Sequence, residues 1–141
     1  MIEIVNRQRR HKINKTTWHQ FTERALATVN PDRTSATIVF VSDDVIRKLN
    51  WQFRGKNYPT DVLSFPTQAE DFEQQNQLHL GEIVISTARA AAQAKENGLT
   101  LTNELQQLIL HGLLHLCGYD HETDHGQMNR LELKLRKKLG I

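Results

Sequence analysis

His111-Gly112-Leu113-Leu114-His115-Leu116-Cys117-Gly118-Tyr119-Asp120-His121 carries three of the chain's seven histidines, and the rest of the sequence has to be arranged around it. At 3.6 residues per turn, a spacing of four puts His111 and His115 on one face of a helix, one turn apart. Gly118 ends that helix. A glycine takes the left-handed conformation at little cost, so the chain doubles back there and brings His121 toward the same point. Three imidazoles then converge. Imidazole nitrogen suits zinc, and three protein ligands with a fourth position left to water is the arrangement of a catalytic rather than a structural zinc.

A lone histidine on a helix is usually solvated or hydrogen-bonded, and an i, i+4 pair arises by chance often enough. The surroundings weigh against that reading here. From Leu108 onward the helix is apolar around nearly its whole girth except at the histidines, so it runs through the interior, where unpaired imidazoles are costly to desolvate. Cys117, the one cysteine, points away from the pair and reads as a small core residue. With Gly118 at i+7 and His121 at i+10, the spacing is the ligand frame of the long zincin signature, H-E-x-x-H-x-x-G-x-x-H. Gly112 stands where that signature has its glutamate base. The helix therefore offers a metal cage without the group that activates water against a peptide bond, which argues against a peptidase. Hydrolysis of a phosphodiester stays open, because zinc polarises phosphoryl oxygens and acidifies bound water. A fourth protein ligand such as His125 would close the site and make the zinc structural.

Working outward, Ile2 to Val5 predicts a strand, and Thr16 or Thr17 caps a helix over Trp18 to Val29. Ala36 to Val41 is a β-branched strand. Ser42 caps an acidic-started helix carrying Val45, Ile46 and Leu49 and ending between Asn50 and Phe53. A loop from Arg54 feeds a strand over Asp61 to Phe65, which Pro66 keeps from the sheet centre. Residues 67 to 79 are polar and aperiodic and read as a surface loop, with His79 incidental. Leu80 to Ser86 is the next strand. Ser86 or Thr87 starts an alanine-rich helix stopped at Asn97-Gly98, and Thr102 or Asn103 caps the histidine helix, Asn103 to Leu116. The last helix, His125 to Leu139, has an apolar stripe of Met128, Leu131, Leu135 and Leu139. About four strands and five helices, interspersed and without repeats or linkers, predict one α+β domain over residues 1–141, with a small mixed sheet and the zinc helix, metzincin-like, at its centre.

A hydrophobic fraction of 38% and a charged fraction of 24% belong to a globular chain of ordinary polarity. No apolar run nears the roughly 20 residues needed to span a bilayer, and no signal-peptide pattern opens the chain, so the expectation is a cytoplasmic protein with no membrane partner. The net charge of +2 names no partner. Basic clusters at Arg7 to Lys15 and Arg130 to Lys138 could track phosphates but are more often solvated faces. Among five Phe, two Trp and two Tyr, most fall at core-periodic positions, which leaves Tyr58 and Tyr119 as candidates for stacking on bases.

The histidine stretch, together with Asn50-Trp-Gln-Phe-Arg54-Gly-Lys56 and Pro59-Thr-Asp-Val-Leu-Ser-Phe-Pro66, resembles the YbeY family of bacterial zinc-dependent endoribonucleases. Leu80-Gly-Glu-Ile-Val-Ile-Ser86 adds to the likeness, with Glu82 where that family more commonly has aspartate. The resemblance runs from about Asp44 to Met128. It implies cleavage of single-stranded RNA in the 3′-end maturation of small-subunit rRNA and in ribosome quality control. It also implies one zinc per chain held by His111, His115 and His121, and partners in the small ribosomal subunit and its proteins. Arg54 is implied to be the functional arginine of the cleft, with His111 catalytic as well as a ligand. A guanidinium fits that task because it holds two phosphate oxygens at once and stabilises charge building on phosphorus. Lys56 and Tyr58 are candidate RNA contacts. Asp120 either orients a ligand imidazole or holds the turn after Gly118. The competing classes are a zinc peptidase or other small metallohydrolase, and a non-catalytic ribosome-binding protein with a structural zinc.

Overall fold

The computed structural model describes residues 1–31, 35–67, 79–120 and 123–141. His121 and most of the 67 to 79 loop lie outside the described residues. In chain order the elements are β1 (Ile2–Asn6), α1 (Lys15–Val29), β2 (Ser35–Val41), α2 (Asp43–Arg54), β3 (Val62–Pro66), β4 (His79–Ser86), α3 (Thr87–Asn97), α4 (Leu101–Leu116) and α5 (Gln127–Leu139). The four strands form one mixed sheet in the order β1-β2-β4-β3; β1, β2 and β4 run parallel and β3 lies antiparallel at the edge. Pro66 closes that edge strand, where a missing N–H costs least. The fold is α+β, as expected.

Alternation along the strands divides the apolar residues between two layers. Ile2 and Ile4 of β1, Ala36, Ile38 and Phe40 of β2, and Ile83 and Ile85 of β4 face α1, α4 and α5, and Trp18 packs 6.0 Å from both Phe21 and Phe40 between ring centroids. On the other face Val41, Leu63 and Val84 meet Ile46 of α2, with Val39, Leu49 and Phe65 at the margin. Each fully buried Ile or Leu contributes about 1.5–3 kcal/mol, so α4, with six fully or nearly fully buried Leu and Ile residues between Leu108 and Leu116, is the main anchor of the larger layer.

Two glycines let elements approach closely. In β4 the register slips opposite Ser35 to Thr37, so Leu80 and Ile83 both reach the larger core, and Gly81 takes φ +143 at this bulge. A Cβ on Gly81 would run into the Phe65 carbonyl oxygen and come within 2.9 Å of Pro66 Cα. Gly112 is the second: a Cβ there would lie 2.8 Å from Ile83 Cγ2 and Cδ1. This is where α4 sits down on β4.

Several element ends differ from expectation. The cap of α1 is Asn14, whose side chain accepts from Thr17 N–H at 3.1 Å, rather than Thr16 or Thr17. Thr100 caps α4 through Asn103 N–H at 3.1 Å, two or three residues before the expected Thr102 or Asn103. The last helix starts at Gln127, because Asp124 gathers the N–H groups of Gly126 (2.9 Å) and Met128 (2.8 Å) ahead of it. His79 is not incidental, since its ring bridges Thr37 Oγ1 (3.3 Å) and Thr67 Oγ1 (3.2 Å) at the start of β4. Val45, near the start of α2, is 40% exposed. Among the described residues no helix is long and apolar enough to cross a membrane.

Candidate active site

Helix α4 ends as its glycine requires. Gly118 has φ +97, its N–H donates to His115 O (3.0 Å), and Tyr119 N–H reaches back to Leu114 O (3.1 Å). That pair of bonds satisfies carbonyls the helix would leave unpaired and turns the chain sharply. One turn earlier, His111 and His115 emerge half-buried from a helix otherwise buried on every side from Leu108 to Leu116. Their Nε2 atoms are 3.1 Å apart, with ring centroids at 4.6 Å.

The pair forms the floor of a cleft of about 530 Å³. Arg54, from the end of α2, and Asp61 to Ser64, from the start of β3, line it opposite, with Tyr119 and Asp120 at the turn. Three motifs far apart in sequence thus meet because β3 is the edge strand next to β4, on which α4 lies. The structure brings His111, His115, Arg54 and Asp120 together. Lys56 and Tyr58 are exposed on the loop leaving α2, outside the cleft lining. Asp120 uses its backbone carbonyl to accept from Thr123 (3.3 Å) and Asp124 (3.2 Å), which holds the turn. His125 is exposed and does not line the cleft.

A residue the sequence reading passed over completes the site. Glu132 of α5 is 8% exposed; its Oε1 lies 2.7 Å from His111 Nδ1, and its Oε2 accepts from Arg136 Nη2 at 2.6 Å. Burial pushes this carboxyl up, but the hydrogen bond and charge of His111, with Arg136 beside it, more than offset that and hold it below the ordinary carboxylate range. With Nδ1 bound to a carboxylate, the His111 ring is fixed with Nε2 turned to the cleft. The sequence did carry a signal. Glu132 is at i+4 from Met128 and i−3 from Leu135, so it shares their buried face, where a carboxylate needs partners.

The donor set fits zinc as far as the described residues go. Two imidazole nitrogens converge on one point, and one of them has its other nitrogen anchored as metal-binding histidines usually do. Among the described residues no group of three His, Cys, Asp or Glu side chains is placed to hold a metal. Gly112, at the position of a peptidase's glutamate, faces Ile83 with no room for a side chain. A side chain there would force the Ile83 side chain to shift.

Behind His111, Glu104 is buried near Asp61. Burial, and then the Asp61 charge, push its carboxyl above the ordinary range, against a smaller opposing effect of Arg136. The Gln93 amide nitrogen, turned inward, donates to Glu104 Oε1 (3.0 Å) and Asp61 Oδ2 (3.1 Å). A raised carboxyl pKa means the folded state holds the proton more tightly than the unfolded one. Stability from this group therefore falls as pH rises from the ordinary carboxylate range through the raised value. Glu104→Gln is accordingly expected to melt a few degrees higher than wild type at about pH 8, with the gap closing by about pH 4. Equal melting curves at both pH values would contradict this.

A family model described as endoribonuclease YbeY matches residues 3–140. A protein named endoribonuclease YbeY from Geobacter metallireducens is 36% identical over 141 residues, covering 99% of this chain and 94% of its own. One of the same name from Solibacter usitatus is 47% identical over 103 residues, which are 73% of this chain and 65% of that one. The solution structure of a Thermotoga maritima protein superimposes with a TM-score of 0.66 at 32% identity, covering 99% of this chain and 89% of that one.

Proposed function

The chain belongs to the endoribonuclease YbeY family, and on that premise we propose that it is a metal-dependent endoribonuclease that cleaves single-stranded RNA in small-subunit rRNA maturation. It would act in the cytoplasm, as one domain over residues 1–141, on or beside the small ribosomal subunit. The observation that carries the reading is the paired Nε2 atoms of His111 and His115 on the floor of a cleft that Arg54 also lines. His111 and His115, with His121, would hold one zinc. When bound, zinc supplies Lewis acidity toward a phosphoryl oxygen and brings water into the range where it ionises near neutral pH.

The protein's own groups do the rest. Arg54 clamps the scissile phosphate with two parallel N–H donors and stabilises the charge that gathers on its oxygens. Among the described residues no carboxylate is paired with Arg54, so its donors remain available to the substrate. Glu132 keeps the His111 ring from swinging, and Arg136 keeps Glu132 ionised and in place. The turn at Gly118 sets Tyr119 at the cleft margin. The test is cleavage of an unstructured RNA by purified protein, its loss on chelation and its recovery with zinc. Zinc-loaded protein that binds RNA and leaves it whole would favour the non-catalytic class instead.

A further inference from the structure

We infer that the exposed flank of α2 is a stacking rail for single-stranded RNA entering the cleft; this rests on the RNA-cleavage reading and specifies how that substrate is held. Tyr58 and Tyr119 are exposed, as the sequence suggests, and Trp51 joins them. Trp51 is 59% exposed and Tyr58 54%, whereas Trp18 is buried. A single exposed aromatic needs no explanation, but the placement of these does. Arg47, Trp51 and Arg54 stand at i, i+4 and i+7 and so form one stripe along the helix. The last member of the stripe lines the cleft.

The chain then folds back along this stripe. Gly55 takes φ +68, Lys56 N–H donates to Asn50 O (3.3 Å), Asn50 Nδ2 donates to the Tyr58 carbonyl (2.9 Å) and Arg47 Nη1 donates to Asn57 Oδ1 (2.9 Å). The backbone carrying Tyr58 is thereby pinned beside α2. Arg47, Lys48, Arg54 and Lys56 outnumber Asp43 and Asp44 on this segment, and Asp44 is engaged by Arg47 (2.9 Å) and Lys48 (3.3 Å). Aromatic faces interleaved with cations match a strand that offers a base and a phosphate at every step, and stacking of this kind tolerates any sequence. An adhesive patch for a protein would have no reason to run into the catalytic arginine.

The experiment uses the full chain. Trp51→Ala is expected to raise KM for an unstructured RNA of about ten nucleotides roughly tenfold while kcat stays put, and Trp51→Phe to recover most of the loss. Independently of cleavage, a 2′-O-methyl RNA of the same length should quench the emission of wild type but not of Trp51→Ala. Wild type that cleaves, with a Trp51→Ala variant matching it in KM and quenching, overturns the rail and leaves the enzyme. Wild type that fails to cleave yet shows Trp51-dependent quenching overturns the activity and supports the rail. A defect confined to binding of small-subunit proteins, with naked RNA unaffected, overturns it in favour of a protein interface.

Discussion

His115→Ala is expected to leave the protein without bound metal, without measurable RNA cleavage and with a lower melting temperature. His115 supplies one of the two nitrogens that face each other at 3.1 Å, so its loss leaves His111 with no converging partner on α4. A bound ion stabilises the folded state by mass action, about 2.7 kcal/mol when it is present at a hundred times its Kd. For a chain of this size that corresponds to a shift of roughly 5–10 °C, seen only when zinc is supplied. Melting curves of wild type and variant with zinc and with chelator separate the two contributions. The curves should coincide in chelator and diverge in zinc. A variant that retains one zinc per chain, or a wild type indifferent to chelation, would remove the metal from the proposal.

The histidine helix was legible because its signal is redundant. Apolar residues around its full circumference, a polar pair one turn apart and a glycine past the end all agree, and Gly118 does take a left-handed turn. The edge position of β3 was legible from Pro66 for an equally local reason. The misread helix starts have local causes. Thr100, Thr102 and Asn103 are all good capping types, and only the extended backbone at Thr100, φ −77 and ψ 159, selects among them. At α1 the first turn, Lys15 to Thr17, is exposed and has no apolar period to mark where the helix begins.

Other misses come from reading residue type ahead of position. Trp51 and Phe53 were not among the stacking candidates, yet the buried side of α2 is set by Ile46 and Asn50, and Phe53 only leans edge-on against Phe65 at 5.1 Å between centroids. Glu132 was hidden by the opposite habit, since a search for an apolar stripe steps over the carboxylate within it. The meeting of Arg54 with the histidines could not be read from local pattern at all. It depends on strand order, which places β3 beside β4 although α2 and the loop after it intervene between β2 and β3.

Arg54→Ala is expected to retain metal and fold but to lose about 10²–10³ of kcat, the usual scale for removing one donor that stabilises developing charge. The fold should tolerate the change because Arg54 is exposed at the last position of α2, where Gly55 already caps the helix, and among the described residues no ion pair holds its side chain. Arg54→Lys separates charge from geometry. Lysine restores the positive charge at the cleft but not the planar pair of N–H donors, so partial recovery of kcat is expected, with KM closer to wild type than kcat. Single-turnover cleavage of one RNA by the three proteins, each with its zinc content measured, checks the point. Full activity in Arg54→Ala would return the arginine to the solvent-exposed role its exposure alone suggests. Full rescue by lysine would mean that the cleft needs a charge there and no particular shape.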